Sequence, residues 1–401
     1  MITVHEADQI IVGNTKPFSS ILRPLGDCYG AVLREDIIAD RDQPPFDKAL
    51  IDGIAINYLV WQNGKTTLKI EGTQAAGQPP RRLKDKAHGC IKIMTGAVIP
   101  VDCDCLVPVE MLASSHGQMT VSGAMNLKPG QYIRRQGAGC KKGTLVLKTG
   151  MQLLPPHIAT AASVGRSKLK VSYPPKVAII SNGDELVDID KKPIKSFQIR
   201  KSNSYALDAI LRQIDLCETQ IFHFPDNKKA LERGLKKVLK QFDILVLSGG
   251  VSMGEFDYIP QVLEGLKVKV LFHKVTQRPG KPFWFGKNNK EKVVFALPGN
   301  PVSTQVGAYR YVVPYLKRAA GLSVEFPYVT LDCDFSSPTD FTYFLPVKIR
   351  YNNDGNVSAN PVETGGSGDY ATLTGADGFI ELAANQKQFA KGQAFPFYSW
   401  K

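Results

Sequence analysis

From about residue 176 onward, short apolar runs alternate with amphipathic stretches, the rhythm of a parallel sheet covered by helices. The pattern predicts strands over 177–181 and 219–224 and helices over 202–216 and 228–242. Asp243-Ile244-Leu245-Val246-Leu247 then runs apolar, as strands buried on both faces do. Residues 257–266 read as a helix with an acidic residue in its first turn, and 268–272 as a further strand. After the apolar Val293-Val294-Phe295, a long helix opens at Pro301 and runs to about Leu316, with Asn300 placed to cap it.

The flanking regions carry a different pattern. Residues 67–72, 89–94, 105–110 and 119–122 are short strand-like pieces divided by Gly and Pro, which predicts a small β-rich domain. After Leu322 the pattern is again β-like, over 328–333, 342–349, 357–361 and 378–382, with turns such as Asn353-Asp354-Gly355 between them. Pro155-Pro156 and Tyr173-Pro174-Pro175 read as hinges. A length of 401 residues, too great for one ordinary core, agrees with several domains.

Composition narrows the class. Hydrophobic residues make up 43% and the mean hydropathy is -0.14. No apolar run approaches the ~20 residues that span a bilayer, and the N-terminus lacks signal-peptide character, so a cytoplasmic protein without a membrane partner is expected. Seven cysteines without a compact framework fit reduced thiols, and Cys103-Asp104-Cys105 alone is a weak zinc pattern. Lys and Arg total 50 against 37 Asp and Glu, a formal charge of +13. That excess favours anionic partners; without a nucleic-acid-binding signature it points to small anions rather than nucleic acid.

The chemistry is expected at the carboxyl ends of the strands, where ligands of wound sheets collect. Ser248-Gly249-Gly250-Val251-Ser252-Met253-Gly254 joins a buried strand to a helix through backbone bare enough to touch a phosphate. Asp257 follows it and could hold a charge-shielding metal, or simply cap the helix. Lys274, Arg278 and Lys281 surround a Pro-Gly turn suited to an oxyanion. Pro298-Gly299-Asn300-Pro301-Val302-Ser303 forms a second glycine turn, and Glu185 and Asp226 sit at neighbouring strand ends, so that Glu185, Asp226 and Asp257 are expected to share one site.

Read together, these blocks carry a family resemblance. Pro44-Pro45-Phe46-Asp47-Lys48-Ala49-Leu50-Ile51-Asp52-Gly53-Ile54-Ala55 resembles the first signature of the molybdopterin molybdenumtransferases, the family that includes the C-terminal domain of gephyrin. Ile93-Met94-Thr95-Gly96-Ala97, Ile133-Arg134-Arg135-Gln136-Gly137, Ser181-Asn182-Gly183-Asp184-Glu185-Leu186, the glycine loop, Pro279-Gly280-Lys281-Pro282 and the Pro298-Gly299 block resemble the remaining signatures, in order.

The resemblance implies an α/β multidomain chain. A doubly wound, mainly parallel, molybdopterin-binding-like domain would comprise 1–20 and 171–321, and an elongated linking domain 21–38 and 140–170. A β-rich domain would span 39–139, and a C-terminal β-barrel-like domain 322–401. It also implies a homodimer in which the doubly wound domain of one subunit faces the β-rich domain of the other. The implied reaction inserts molybdate into adenylylated molybdopterin and releases AMP, assisted by Mg²⁺ or another divalent cation. Contact with the adenylylating enzyme and with acceptor molybdoenzymes is implied as well.

Carried onto this chain, Asp52, Glu185, Asp226, Asp257, Lys274 and Lys281 would do the chemistry, with Glu185, Asp226 and Asp257 on the metal. Thr95, Asp184, Ser248, Gly249, Gly250, Ser252, Gly254, Arg278, Pro298, Gly299, Asn300, Ser303 and Ser367 would bind substrate. Departures are local: Lys48-Ala49 replaces an Asn-Ser pair, Ile54 a Tyr, Ala138-Gly139 an acidic pair and Arg278 a lysine, while Phe344-Leu345-Pro346 stands where an arginine is expected. Two other readings remain at this stage, a pterin-binding scaffold or carrier without turnover and a molybdopterin adenylyltransferase. The second module needs neither the Pro-Phe-Asp block nor the flanking β domains.

Overall fold

The computed structural model describes residues 1–122, 125–251 and 257–400. The chain forms two compact units, one of residues 1–35, 149–155 and 168–401, the other of 36–148 and 156–167.

The larger unit is built on a six-stranded sheet: β1 (Lys176–Asn182), β2 (Glu218–Phe224), β3 (Ile244–Ser248), β4 (Val268–His273), β5 (Trp284–Asn288) and β6 (Val293–Leu297), in the order β2-β1-β3-β6-β5-β4. The first four in that order are parallel, and β5 runs antiparallel to both β6 and β4. β3 and β6 are buried along their whole lengths, which explains their unbroken apolar runs.

Helices cover both faces. α1 (Val4–Gly13) is held at its start by a reciprocal Thr3–Glu6 capping box and buries Val4, Ala7 and Ile11. α2 (Asn203–Ile214) adds Leu207, Ile210 and Leu211 to the same core, against Val177, Ile179, Val246 and Phe295. On the opposite face α3 (Lys228–Gln241) places Leu231, Leu235, Val238 and Leu239 on one stripe against Ile180, Leu245 and Leu247. Asn227 starts α3 by accepting the N–H of Ala230 at 3.0 Å, so the strand end carrying Asp226 is tied to a helix cap.

Several boundaries differ from expectation. α4 spans Ile259–Gly265 and has no acidic residue in its first turn, because Pro260 sets its start and Asp257 stays in the loop before it. The long helix is three pieces, α5 (Pro301–Gly307), a π-helical turn (Ala308–Val312) and α6 (Val313–Ala320). Asn300 sits at the N-cap position of α5 without a side-chain capping bond. β5 also went unanticipated, since Trp284-Phe285-Gly286 reads as little more than the tail of the Pro-rich turn.

Within the same unit, β7 (Tyr328–Leu331), β8 (Thr342–Tyr351), β9 (Val357–Pro361), β10 (Gly378–Leu382) and β11 (Ala394–Ser399) pair as β8-β9-β7-β11-β10, and β10 pairs back onto β8. This closed barrel needs β11, a strand the sequence pattern did not reveal. Its Phe344, Phe379 and Tyr398 join the core of the wound sheet.

The smaller unit has its own six-stranded sheet, in the order Cys105–Pro108, Gly53–Ile56, Gly89–Ile93, Thr67–Gln74, Gln118–Val121, Leu112–Ser115. Ile54, Ile56, Leu68, Cys90 and Val107 form part of its core. Among the described residues no helix is long and apolar enough to cross a membrane.

Candidate functional site

The loops at the carboxyl ends of β1, β2, β3 and β6 open onto one cleft of about 830 Å³. Glu185, Asp226 and Asp257 line it, with Gly249 and Gly250, Arg278 and Lys281, the run 298–300, Ser303 and, from the barrel, Ser367.

On the acidic side, the N–H of Asp184 donates to the Asp226 carboxylate at 3.1 Å and the N–H of Asp226 donates to that of Asp184 at 3.0 Å. This exchange fixes the two strand ends against each other. Buried Asn182 reinforces it by donating to the carbonyls of Phe224 (3.1 Å) and Pro225 (3.3 Å). The Glu185 carboxylate folds over Gly183, where an added Cβ would lie 2.5 Å from its Oε2. Among the described residues no three His, Cys, Asp or Glu side chains converge tightly enough to make a metal cage. Magnesium does not require one, because it is commonly held by one or two carboxylates, waters and the phosphate oxygens of a substrate. Oxygen donors lining a cleft fit that mode.

The glycine turn after β3 is conformationally demanding. Gly249 and Gly250 have φ of +95° and +67°, and a Cβ on Gly250 would stand 2.5 Å from Asn182 Oδ1 and 2.7 Å from Ile259. Ser248 is buried, and its hydroxyl accepts from the Asn203 amide at 2.9 Å, so it braces the turn from within. The same amide donates to the Gly299 carbonyl at 2.6 Å and ties the two glycine turns together. Ser252 and Gly254 lie outside the described residues.

The cationic turn is organised from beneath by Gln277, which is 1% exposed. Its amide nitrogen donates to the carbonyls of Pro279 (3.3 Å) and Gly280 (3.1 Å), and its oxygen accepts from the Tyr311 hydroxyl at 2.5 Å. The Lys281 ammonium lies 5.6 Å over the Phe341 ring, and Arg278 donates to the Pro338 carbonyl at 3.5 Å. Lys274 is not among the residues lining the cleft; its backbone bonds Phe283 and Ile2. Across from the turn, the Asn300 side chain donates to the Ser367 hydroxyl at 2.8 Å.

A second hollow of about 620 Å³ shares Asn182, Glu185, Gly249, Gly299 and Asn300 with the first, so the two form one elongated groove. The reading of the sequence missed Asn182, Gln277 and Phe341. Asn182 and Gln277 stand inside or beside the motifs already singled out, where a buried amide following an apolar strand was the available signal. Phe341 had none.

In the smaller unit, Asp52 accepts from the N–H (2.6 Å) and the hydroxyl (2.8 Å) of Thr95. These two donors hold its carboxyl below the usual aspartate range. The Ala138-Gly139 stretch is a turn in which the N–H of Gly139 donates to the Gln43 carbonyl at 2.8 Å.

Three family models match the chain in succession: the MoeA N-terminal region (domain I and II) over residues 2–165, the probable molybdopterin binding domain over 178–318, and the MoeA C-terminal region (domain IV) over 328–400. A molybdopterin molybdenumtransferase from Synechocystis sp. is 37% identical over 401 residues, 100% of each chain. One from Haemophilus influenzae is 36% identical over 299 residues, 74% of this chain and 72% of the other. Among solved structures, the molybdopterin biosynthesis MoeA protein from Pyrococcus horikoshii superposes with a TM-score of 0.82 at 28% identity, covering 100% of this chain and 99% of that one.

Proposed function

The chain belongs to the molybdopterin molybdenumtransferase family and is a transferase of molybdenum cofactor biosynthesis; from that premise we propose how its cleft inserts molybdate into adenylylated molybdopterin and releases AMP. One observation carries the reading: carboxylates, a bare glycine turn and a cationic turn line a single cleft. Each answers a charge on that substrate pair.

One or two of Glu185, Asp226 and Asp257, with waters and the substrate's phosphate oxygens, would hold a divalent cation, magnesium by the chemistry of the donors. When bound, it would offset charge on the phosphoanhydride as AMP leaves. The amides at Gly249, Gly250 and Gly299 approach a phosphoryl group without a Cβ in the way. Arg278 and Lys281 attract the molybdate dianion and hold it near the pterin dithiolene. Asn300, Ser303 and Ser367 supply hydrogen bonds across the cleft, and the adjoining hollow gives a long substrate with a nucleotide at one end room to lie extended.

The resemblance to the family supports a homodimer working in the cytoplasm, with Asp52 and Thr95 contributed by a second copy. Asp52 is suited to that place because the two Thr95 donors fix the orientation of its carboxylate and hold its pKa below the usual aspartate range.

The test mixes purified protein with adenylylated molybdopterin, magnesium and molybdate and follows AMP and the cofactor formed. Appearance of both supports the transferase reading. Tight pterin binding with neither product would instead favour a carrier, the reading to which the loss of an acidic pair at Ala138-Gly139 lends weight.

A further inference from the structure

Beneath the cationic turn lies a buried polar chain that no step above uses. Tyr311 is 1% exposed and sits on the π-helical turn Ala308–Val312. A π turn inserts a residue into a helix and redirects its side chains, and such turns recur at functional sites. Here Arg310 reaches Asp8 and Glu381, while the neighbouring Tyr311 reaches Gln277.

The direction of every bond in this chain follows from chemistry. The carbonyls of Pro279 and Gly280 only accept, so the Gln277 amide nitrogen must face them. Its oxygen therefore faces Tyr311, and the phenol must donate. Burial pushes the phenol's pKa up, so that donor is present throughout the physiological pH range. An oxyanion approaching Arg278 and Lys281 would be repelled by carbonyl dipoles pointing at it. Gln277 binds two of the turn's carbonyls from the buried side.

We propose that Tyr311 is a positioning residue for molybdate binding: its hydroxyl fixes the Gln277 amide, which keeps the carbonyls of Pro279 and Gly280 turned from the anion. The proposal rests on reading the turn as the molybdate site. Tyr311 touches no substrate and acts only through Gln277.

The test uses the full chain as wild type, Tyr311→Phe, Gln277→Met and the double variant. It measures molybdate binding by calorimetry without pterin, and the steady-state constants of molybdate-dependent AMP release. Loss of one buried hydrogen bond that orients a binding loop is expected to raise the Kd and KM for molybdate roughly tenfold in each single variant. The kcat and the KM for the pterin substrate should stay within about twofold. The double variant should be no worse than either single, because both break one chain.

Unchanged molybdate constants in a folded Tyr311→Phe overturn the proposal. So does a fall in kcat at constant KM, which marks a packing role, and so do additive losses in the double variant. Gln277→Met carries the same test should Tyr311→Phe not fold. Wild-type protein that neither binds molybdate nor releases AMP refutes the parent reading and this proposal with it, whereas failure of the variants alone refutes only the positioning role.

Discussion

The side-chain amide of Asn300 donates to the Ser367 hydroxyl at 2.8 Å, while the Ser367 carbonyl accepts from the N–H of Val302 at 3.0 Å. The first turn of α5 thus receives its cap from the barrel rather than from Asn300, the residue at the N-cap position. Both residues line the cleft, so the barrel loop and the second glycine turn are held in one geometry by a two-point contact.

Ser367→Ala removes the side-chain half of that contact and leaves the backbone half. The bond is exposed, and its loss should cost about 0.5–1 kcal/mol of stability in urea denaturation. The larger effect is expected on the KM of the pterin substrate, through a loosened loop and a lost hydroxyl. A variant with wild-type KM would remove Ser367 from the site.

At Gly250 the backbone itself is the functional element. With φ of +67° and Asn182 Oδ1 at 2.5 Å from a Cβ, Gly250→Ala should destabilise the protein by about 2 kcal/mol. It should also displace Asn182 and, through it, the Asp226 loop, so AMP release should fall more steeply than stability. Equal activity per folded molecule, measured by release assay and calorimetry together, would contradict this.

Much of this was legible beforehand, for physical reasons. β3 and β6 announce themselves because strands buried on both faces need uninterrupted apolar residues, and α3 because its apolar positions repeat at helical spacing. The glycine turn after β3 was legible because little but glycine tolerates the dihedrals of Gly249 and Gly250. Asn300 misled because a cap position read locally does not tell that a chain segment 67 residues further on fills the role. Tyr311 was illegible for the same reason, since it looks unremarkable until the fold brings it to Gln277 across 34 residues.

Asp226→Ala should abolish metal-dependent AMP release while leaving the far-ultraviolet circular dichroism unchanged. The substitution removes an oxygen donor and also the acceptor for the N–H of Asp184, so Asp184→Ala should show a weaker form of the same defect. A magnesium titration of AMP release separates the two: raised metal should partly restore the Asp184 variant and not the Asp226 variant. Full turnover without Asp226 would exclude it from the mechanism.

For Asp52 the prediction concerns pH. Its carboxyl is held low by the Thr95 N–H and then by the Thr95 hydroxyl. A depressed carboxylate contributes stability that is present above its unfolded pKa and is lost as pH falls through the folded value, so the effect is confined to the acid range. Thr95→Val keeps the backbone donor and removes the hydroxyl, and should move the pKa part of the way back up, read by carbon NMR titration of the carboxylate. An unmoved titration would show that the hydroxyl does not reach it in solution.

Arg310 supplies the last and largest expected stability effect. Its guanidinium, 7% exposed, donates twice to Asp8 on α1 at 2.8 and 2.6 Å and once to Glu381 on β10 at 2.7 Å. Tyr398 donates to the same Glu381 oxygen at 2.8 Å, and the guanidinium also lies 5.1 Å from the Tyr311 ring centroid and 5.4 Å from that of Tyr398. Arg310→Met leaves two partly enclosed carboxylates without their cation and should cost about 3–5 kcal/mol. Because the penalty comes chiefly from stranded charge, Arg310→Met combined with Glu381→Leu should be more stable than Arg310→Met alone, although one more interaction has been removed. Urea denaturation of the two variants decides it: a double variant less stable than the single would mean that packing of the long side chain, rather than charge pairing, is what Arg310 contributes.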